Sequence, residues 1–410
     1  MGLVIPRGIV YHNVNDDVSA LLRSTYSSLN DVAPIRKFEA KFANYIGCNY
    51  CISFPFARTA IYYALKSRDF KIGDEIIMPP ITIKSILDVV LDLKLKPVFV
   101  DINQDTLCFN LENLKLAIGP NTKAILITYL FGMVPQLDCL MTLCKENELF
   151  VIEDFSQCLN GRFKDKKVGS FGDIGVYSAS STKTLDTYGG GLLVCNDEND
   201  AKCLRGHQKS LQPAKRTQLI QKIITDLIRN IATTRLVFHL FVFPLLKLIN
   251  FLYPESVIKH TGDRKKEMIE NLPQDWFTSF TSFQANEGLR MIETIENSDQ
   301  LRKNNVNQVK SSTSTVMFPT SVKNAKSVYW QLVAYFDEPA KVQKYLQSKN
   351  IDTSTTSLEY IANLPAYPIK GDTPNANKLY YNGLFVPAYP GLSETDLSHI
   401  SHVLNDLQII

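Results

Sequence analysis

Two residues in the middle of this chain have the types and the spacing to do chemistry together. Asp154 closes a short apolar run, Leu149-Phe150-Val151-Ile152, which reads as a buried strand stopping at Glu153-Asp154. Lys183 follows a second such run, Ile174-Gly175-Val176-Tyr177-Ser178. Beyond it come Gly189-Gly190-Gly191 and a third run, Leu192-Leu193-Val194-Cys195. An acid at the carboxyl end of a strand in an α/β sheet stands where such folds bind ligands. One cofactor chemistry uses this pairing. Pyridoxal phosphate needs a lysine amine to form an imine with its aldehyde, and a carboxylate beside its ring nitrogen. The carboxylate keeps that nitrogen protonated, so the ring accepts the electrons released when a substrate carbon loses a proton. Taken singly, a strand-end Asp is a cap and a turn Lys is a solvated cation, so the surrounding pattern has to decide.

The elements that must position this pair alternate. Ile35 to Ile46 has apolar residues at helical spacing and ends at Gly47; Tyr50 to Phe54 is a strand. Glu75–Met78, Pro97–Asp101 and Lys123–Thr128 read as strands, with helices at Ser85–Leu93, Leu111–Ile118 and Leu137–Asn147 between them. That rhythm predicts a mostly parallel sheet covered by helices on both faces, with right-handed crossovers. Between the first strand and the helix starting near Thr59 lies Pro55-Phe56-Ala57-Arg58-Thr59-Ala60. A strand running into a helix N-terminus presents free amide hydrogens and a positive dipole end. The cofactor phosphate is therefore placed against the amides of Thr59 and Ala60, with the Thr59 hydroxyl nearby. Arg58 either neutralises that phosphate or points to solvent.

The wider pattern adds to this. Glu153-Asp154-x-x-Gln157, then Lys166-x-Val168-Gly169-Ser170-x-Gly172-Asp173, then Ser178-x4-Lys183 and Gly190-Gly191, resembles the DegT/StrS family of sugar aminotransferases. The resemblance covers most of the chain and is weakest between about Leu204 and Asp275. It implies an α/β fold of the type-I pyridoxal-phosphate class, with a large domain built on a seven-stranded sheet and a smaller C-terminal α+β domain. It also implies Lys183 as the Schiff-base lysine, Asp154 as the partner of the pyridine nitrogen, Gln157 near the ring hydroxyl and Ser178 on the phosphate. Family members build each site from two subunits, so a homodimer is expected. Four positions depart from the family pattern. Arg58 stands where relatives usually have Gly, Ile83 where an aromatic stacks on the ring, Tyr129 where His is frequent, and Gly189 where Glu is frequent. An aliphatic Ile83 still covers a ring by dispersion but lacks the stacking preference of an aromatic pair. These changes bear on the substrate side more than on Asp154 or Lys183. Relatives also carry Asn-x-Arg upstream of the Gln284-Ala285 segment, the Asn reaching the neighbouring subunit's phosphate. Here that stretch is Phe277-Thr278-Ser279.

Bulk composition sets bounds. At 410 residues, two domains are expected. A net charge of +3, with no basic stripe interleaved with stacking aromatics, argues against nucleic acid as a partner. The N-terminus has no apolar run followed by a small-residue cleavage site, which predicts a chain without a secretory signal. Eight cysteines are scattered, most of them in or beside apolar runs, as reduced core thiols would be. Cys48-x-x-Cys51 lacks a second CxxC or a nearby His, and His399 and His402 are only a pair, so no metal site is predicted. The compartment implied is the cytoplasm.

One segment is unusual. In Leu219 to Pro254 the first half, LIQKIITDLIRNI, places Leu219, Ile220, Ile223, Ile224, Leu227, Ile228 and Ile231 on one helical face. The second half is apolar nearly all round, yet too short before Lys247, and too interrupted by Pro244, to span a bilayer. Cations flank it, from Lys209 to Arg264-Lys265-Lys266. It either packs on a partner subunit or lies in a membrane interface with its cations on anionic headgroups, and the second reading is favoured. The chain thus divides into a cofactor domain at 1–218, a hydrophobic insertion at 219–256 and a C-terminal domain at 257–410. In that last part Tyr329–Tyr335 reads as a strand, and Leu384 to Leu392 resembles a closing family signature.

The resemblance implies a transaminase acting on a keto-sugar. Glutamate is the donor and the sugar is carried on a nucleotide, or on a lipid if the insertion meets a membrane. Two alternatives stand beside it. Sugar dehydratases of the family replace the lysine with His, which Lys183 opposes. A non-catalytic membrane-associated binding protein on the same scaffold is the other.

Overall fold

The computed structural model describes residues 2–252, 269–364, 367 and 371–409. Seven strands form its central sheet: β1 (Tyr50–Phe54), β2 (Glu75–Met78), β3 (Lys96–Phe99), β4 (Thr122–Thr128), β5 (Phe150–Asp154), β6 (Ile174–Ser178) and β7 (Gly191–Cys195). Their order is β1-β7-β6-β5-β4-β2-β3, and only β7 runs against its neighbours. Residue alternation along the strands feeds two apolar layers. Ile77, Ile125, Ile127, Val151, Tyr177 and Val194 point to one side with Phe38 and Phe42. Ile76, Met78, Leu126, Ile152, Val176 and Leu193 point to the other with Ala60, Ala64 and Leu87. Burial on both faces is why these strands read as continuous apolar runs.

Helices α1 (Val14–Tyr26), α2 (Val32–Ile46), α3 (Ala57–Lys66), α4 (Lys84–Asp92), α5 (Leu111–Ala117), α6 (Leu137–Glu146) and α7 (Glu198–Lys209) cover the sheet. Local signals set their ends. Asp31 caps α2 by accepting from the Ala33 amide, and Gly47 ends it at φ +89°, a left-handed conformation that glycine adopts without strain.

The C-terminal part pairs Leu332–Tyr335 with Gly383–Val386 and packs three helices around them, Ile295–Ser311, Pro339–Ser348 and Glu394–Asn405. Its first strand is shorter than expected. Tyr329 has φ +50°, so the chain turns there and only Leu332 to Tyr335 pair. The N-terminal residues also depart from the expected division. Ile5 bridges to Ile351, and its amide and carbonyl bond to Asn350 and Asp352, so this stretch joins the C-terminal part.

The insertion folds as α8 (Arg216–Thr233), a sharp bend, and further helix through Arg235–Val237, a π turn at Phe238–Val242, and Phe243–Leu252. Its last residues, 253–256, and the basic run at 264–266 lie outside the described residues. The expected apolar face of α8 is split. Leu219 and Ile223 are buried against Ala20, Tyr188 and Phe283, but the buried stripe continues through Asp226 and Asn230. Ile224, Ile228 and Ile231 are left exposed. The polar pair goes inside because each finds partners there: Asn230 donates to the His12 carbonyl and to Asp17, and Asp226 accepts from Ser181.

Candidate active site

Asp154 ends β5 with its side chain buried, level with Thr128 on β4 and Val176 on β6. Its carboxylate accepts from the Ser156 amide at 3.1 Å. Burial raises its pKa above the ordinary carboxylate value, while the Ser156 bonds and the charge of Lys183 pull it back. The Lys183 charge thus acts on the Asp154 carboxylate.

Lys183 sits in a loop closed on itself. Ala179 donates to the Gly190 carbonyl and accepts from the amides of Thr187 and Gly189, so residues 180–188 leave and re-enter the sheet edge at one point. The Lys183 ammonium lies 3.7 Å from the centroid of the Trp330 ring, and the indole Nε1 donates to the Thr182 carbonyl at 2.9 Å. Trp330 was not singled out from sequence. The one available signal was scarcity, because the chain's only other tryptophan, Trp276, also lies at the site, 4.3 Å from the Arg58 guanidinium.

Below the loop is a buried polar network. His12 bonds to the Tyr188 hydroxyl at 2.7 Å and to the Asp186 carbonyl at 3.0 Å, and Tyr188 donates to Asp17 at 2.7 Å. Burial alone would push His12 down, but its bond to Asp17 and the charge of Asp186 bring it up to about 9. Burial pushes Asp186 up to about 7, against the pull of His12.

The remaining predicted residues divide. Ser178, the last residue of β6, faces Gly191 across the ladder, and its hydroxyl lies 3.0 Å from that of Ser180. Gln157 is buried nearby, its Oε1 accepting from the Phe131 amide at 2.7 Å, so that end of the side chain braces a turn. Arg58 does not point to solvent: its guanidinium is held between the rings of Phe56 and Trp276. Ile83 caps the start of α4 and packs, half-buried, between two apolar clusters.

Thr59 and Ala60 need correction. Both amides donate to the Phe56 carbonyl, and the buried Thr59 hydroxyl donates to the Trp276 carbonyl at 2.6 Å. Their donors are spent inside α3, which begins at Ala57 with no side-chain cap. Tyr129 also differs from expectation. It is fully buried and its hydroxyl donates to Glu153. Glu153 in turn accepts from the amides of Gly169, Phe171 and Gly172, which explains the Val-Gly-Ser-x-Gly-Asp spacing as a structural knot behind the site.

The Phe277-Thr278-Ser279 stretch is fastened within its own chain. Gln212 pairs with Thr278, and Ser279 accepts from the Ala214 amide. No group of three or more His, Cys, Asp or Glu side chains suited to a metal occurs among the described residues.

The stretch that carries the acid, the amine, the glycine run and the polar knot matches a known family. The profile of the DegT/DnrJ/EryC1/StrS aminotransferase family matches residues 12–225, which include every one of these groups except the two tryptophans. The chain belongs to the DegT/DnrJ/EryC1/StrS aminotransferase family. Among curated members, the GDP-perosamine synthase of Escherichia coli O157:H7 is 33% identical over 164 residues, 40% of this chain and 45% of that protein. The chain spans about half the length of the curated relatives it matches. The fold extends further. A family aminotransferase structure from Brucella abortus superposes with a TM-score of 0.73 at 20% identity, covering 96% of this chain and 95% of that one. An E. coli GDP-4-keto-6-deoxy-D-mannose-3-dehydratase, solved with bound hydrated pyridoxal phosphate, gives 0.74 at 18% identity over 98% and 100%.

Proposed function

We propose that this chain is a pyridoxal-phosphate-dependent aminotransferase that moves an amino group from an amino-acid donor, glutamate by family resemblance, onto the ketone of a sugar. The observation that carries this is the buried Asp154 carboxylate within the electrostatic reach of Lys183 at the sheet's carboxyl edge. The residues fit the cofactor. Asp154 would hold the ring nitrogen, Lys183 the aldehyde carbon, and Ser178 with the Ala57 amide the phosphate. Bound there, the cofactor supplies an aldehyde for the amine and a ring that takes up electrons.

The chain's own groups do the rest. Lys183, once displaced by the donor, moves a proton to and from the reacting carbon as base and acid. Asp154 would stabilise positive charge on the ring from its buried position, where that interaction is stronger than in water. Trp330 shields the amine, and the closed loop fixes where it returns. An amine at position 183 favours transfer over dehydration, and retention of both groups favours an enzyme over a binding protein on the same scaffold.

The same reading makes the chain a homodimer on the cytoplasmic face of a membrane. For the dimer, Val18, Leu22 and Tyr26 repeat at four-residue spacing on the exposed side of α1 and offer an apolar stripe. For the membrane, nine exposed large apolar side chains fall between Ile224 and Leu252. No single helix among the described residues is long and apolar enough to cross a bilayer, and the insertion's two halves are bent by 68°. Residues 215–252 contain six Lys or Arg and one Asp, a net of +5 in a chain whose total is +3, and that Asp is buried. A symmetric contact between copies would set these cations against each other, whereas anionic headgroups complement them. All eight cysteines are free thiols, in keeping with a reducing compartment. A sugar carried on a lipid phosphate would suit such a location.

The deciding experiment is spectroscopic. Purified protein should be yellow, lose the colour on adding glutamate, and regain it with a keto-sugar acceptor. Asp154→Asn should bind the cofactor weakly and slow turnover on the order of 100-fold or more, as loss of a charge-stabilising group does. Persistent colour with every common amino donor would overturn transamination.

A further inference from the structure

A second cationic feature of the site comes from the insertion. Lys222, on α8, reaches back over the seam where β1 turns into α3. Its Nζ lies 4.6 Å from the centroid of Phe56, the residue that caps α3. A Cβ placed on Gly189 would stand 2.9 Å from the same nitrogen. Gly190 bridges to Phe56, and Gly191 abuts the Phe56 and Ala57 backbone while pairing with Ser178. The ammonium therefore stands beside the glycine run close to where that run meets the Phe56–Ala57 backbone. The Arg58 guanidinium, between Phe56 and Trp276, is close enough to act on it.

Among the described residues, Lys222 Nζ has no carboxylate within ion-pair distance and no hydrogen-bond acceptor. The acids nearest in charge, Asp275, Asp226 and Asp186, act only from further away. Asp226 is already committed to Ser181 and Arg229. Two cations packed together and half-withdrawn from water, one with no anion beside it, are costly unless a ligand brings negative charge. A helix N-terminus beside them adds a dipole of the same sign.

We infer that Lys222, with Arg58, forms a phosphate-ester binding site supplied from within the chain by the insertion helix. The inference rests on the cofactor reading and deepens it. The phosphate ester is either the cofactor's own or that of the sugar's carrier, and the arms below separate the two.

The test uses the full-length chain carrying Lys222→Met, Lys222→Gln and Lys222→Arg, each checked for native melting. Affinity is read by absorbance titration with pyridoxal phosphate and with pyridoxal, which lacks the phosphate, and by competition with inorganic phosphate. The neutral variants should weaken pyridoxal phosphate on the order of 10- to 100-fold, the scale of one charge-assisted hydrogen bond. They should leave pyridoxal unchanged, and Lys222→Arg should restore most of the loss. If cofactor affinity holds but KM for the sugar ester rises at constant kcat, the carrier phosphate is the ligand and the site stands. If the unaltered protein binds no pyridoxal phosphate yet binds inorganic phosphate through Lys222, the cofactor reading fails and the site survives. Unchanged phosphate, cofactor and substrate binding in both neutral variants would overturn the inference.

Discussion

Trp330 clamps the Lys183 loop twice, its ring over the Lys183 ammonium at 3.7 Å and its Nε1 on the carbonyl of the preceding residue, Thr182. Thr182 has φ +70°, a conformation uncommon for a threonine, so the indole bond helps to hold a turn that is not preferred locally. Trp330→Ala removes a cation–π contact and a hydrogen bond, together about 1–3 kcal/mol. Cofactor affinity should fall roughly 10- to 100-fold by titration. Trp330→Phe, which keeps a ring and loses the N–H, should fall between the two. An alanine variant with native affinity and turnover would remove Trp330 from the site.

Glu153 holds the knot behind that loop. It is fully buried and accepts from three backbone amides and the Tyr129 hydroxyl. Burial raises its pKa, and these four donors oppose the rise. Glu153→Gln puts an amide NH2 against donors that it cannot accept from, and should cost about 3–5 kcal/mol of stability. Urea titration followed by circular dichroism measures this. Tyr129→Phe should cost about 1–2 kcal/mol by the same readout, because one donor to a buried carboxylate is lost.

How much of this was legible beforehand follows from how local each signal is. Asp154 stood out because it ends an apolar run and Lys183 because it follows another after a short polar loop, and strands buried on both faces leave that mark in sequence. The Thr59 and Ala60 amides, expected to face a phosphate, are spent inside the helix, since it begins at Ala57 and no side-chain cap announces it. The α8 face was misread for a different reason. Periodicity ranks stripes by apolarity, but the stripe that went inside includes Asp226 and Asn230, whose partners Ser181, His12 and Asp17 are 45 to 218 positions away. Tyr129 and Trp330 likewise take their roles from contacts that only the fold creates.

The network under the loop makes stability depend on pH. His12 is raised to about 9 in the folded chain, against an ordinary value of 6.5. A base with a raised folded pKa lends stability that is complete below its unfolded value and is lost as pH climbs through the folded one. Melting temperature should therefore decline between about pH 6.5 and 9. The underlying change is on the order of 1–3 kcal/mol, given strong coupling to Asp17 and Asp186. In the lower part of this range, Asp186, pushed up to about 7 by burial, acts in the same direction, its stabilising proton being lost as pH rises. His12→Gln should be less stable at pH 6.5 and show a flatter profile up to pH 9. Parallel profiles for the two proteins would show that His12 is not the titrating group.

The exposed face of the insertion yields the last test. Leu236, Leu240, Phe241, Leu245 and Leu248 are each more than half exposed, and Lys247 stands among them in the chain. Each such side chain gains about 1 kcal/mol on entering a bilayer interface, given that roughly half its surface is already covered. Replacing all five with Ser or Gln should then abolish flotation with vesicles containing phosphatidylglycerol. The parent protein should float, bind phosphatidylcholine vesicles less well, and release as salt rises, because exposed charges are screened within about 8 Å at physiological ionic strength. Light scattering on both proteins separates the competing occupant. If the parent ignores vesicles and the five-fold variant falls apart into monomers, the face is a subunit interface and the membrane reading is lost. Retained dimerisation together with lost flotation is the expected result, because α1 and not the insertion is assigned the subunit contact.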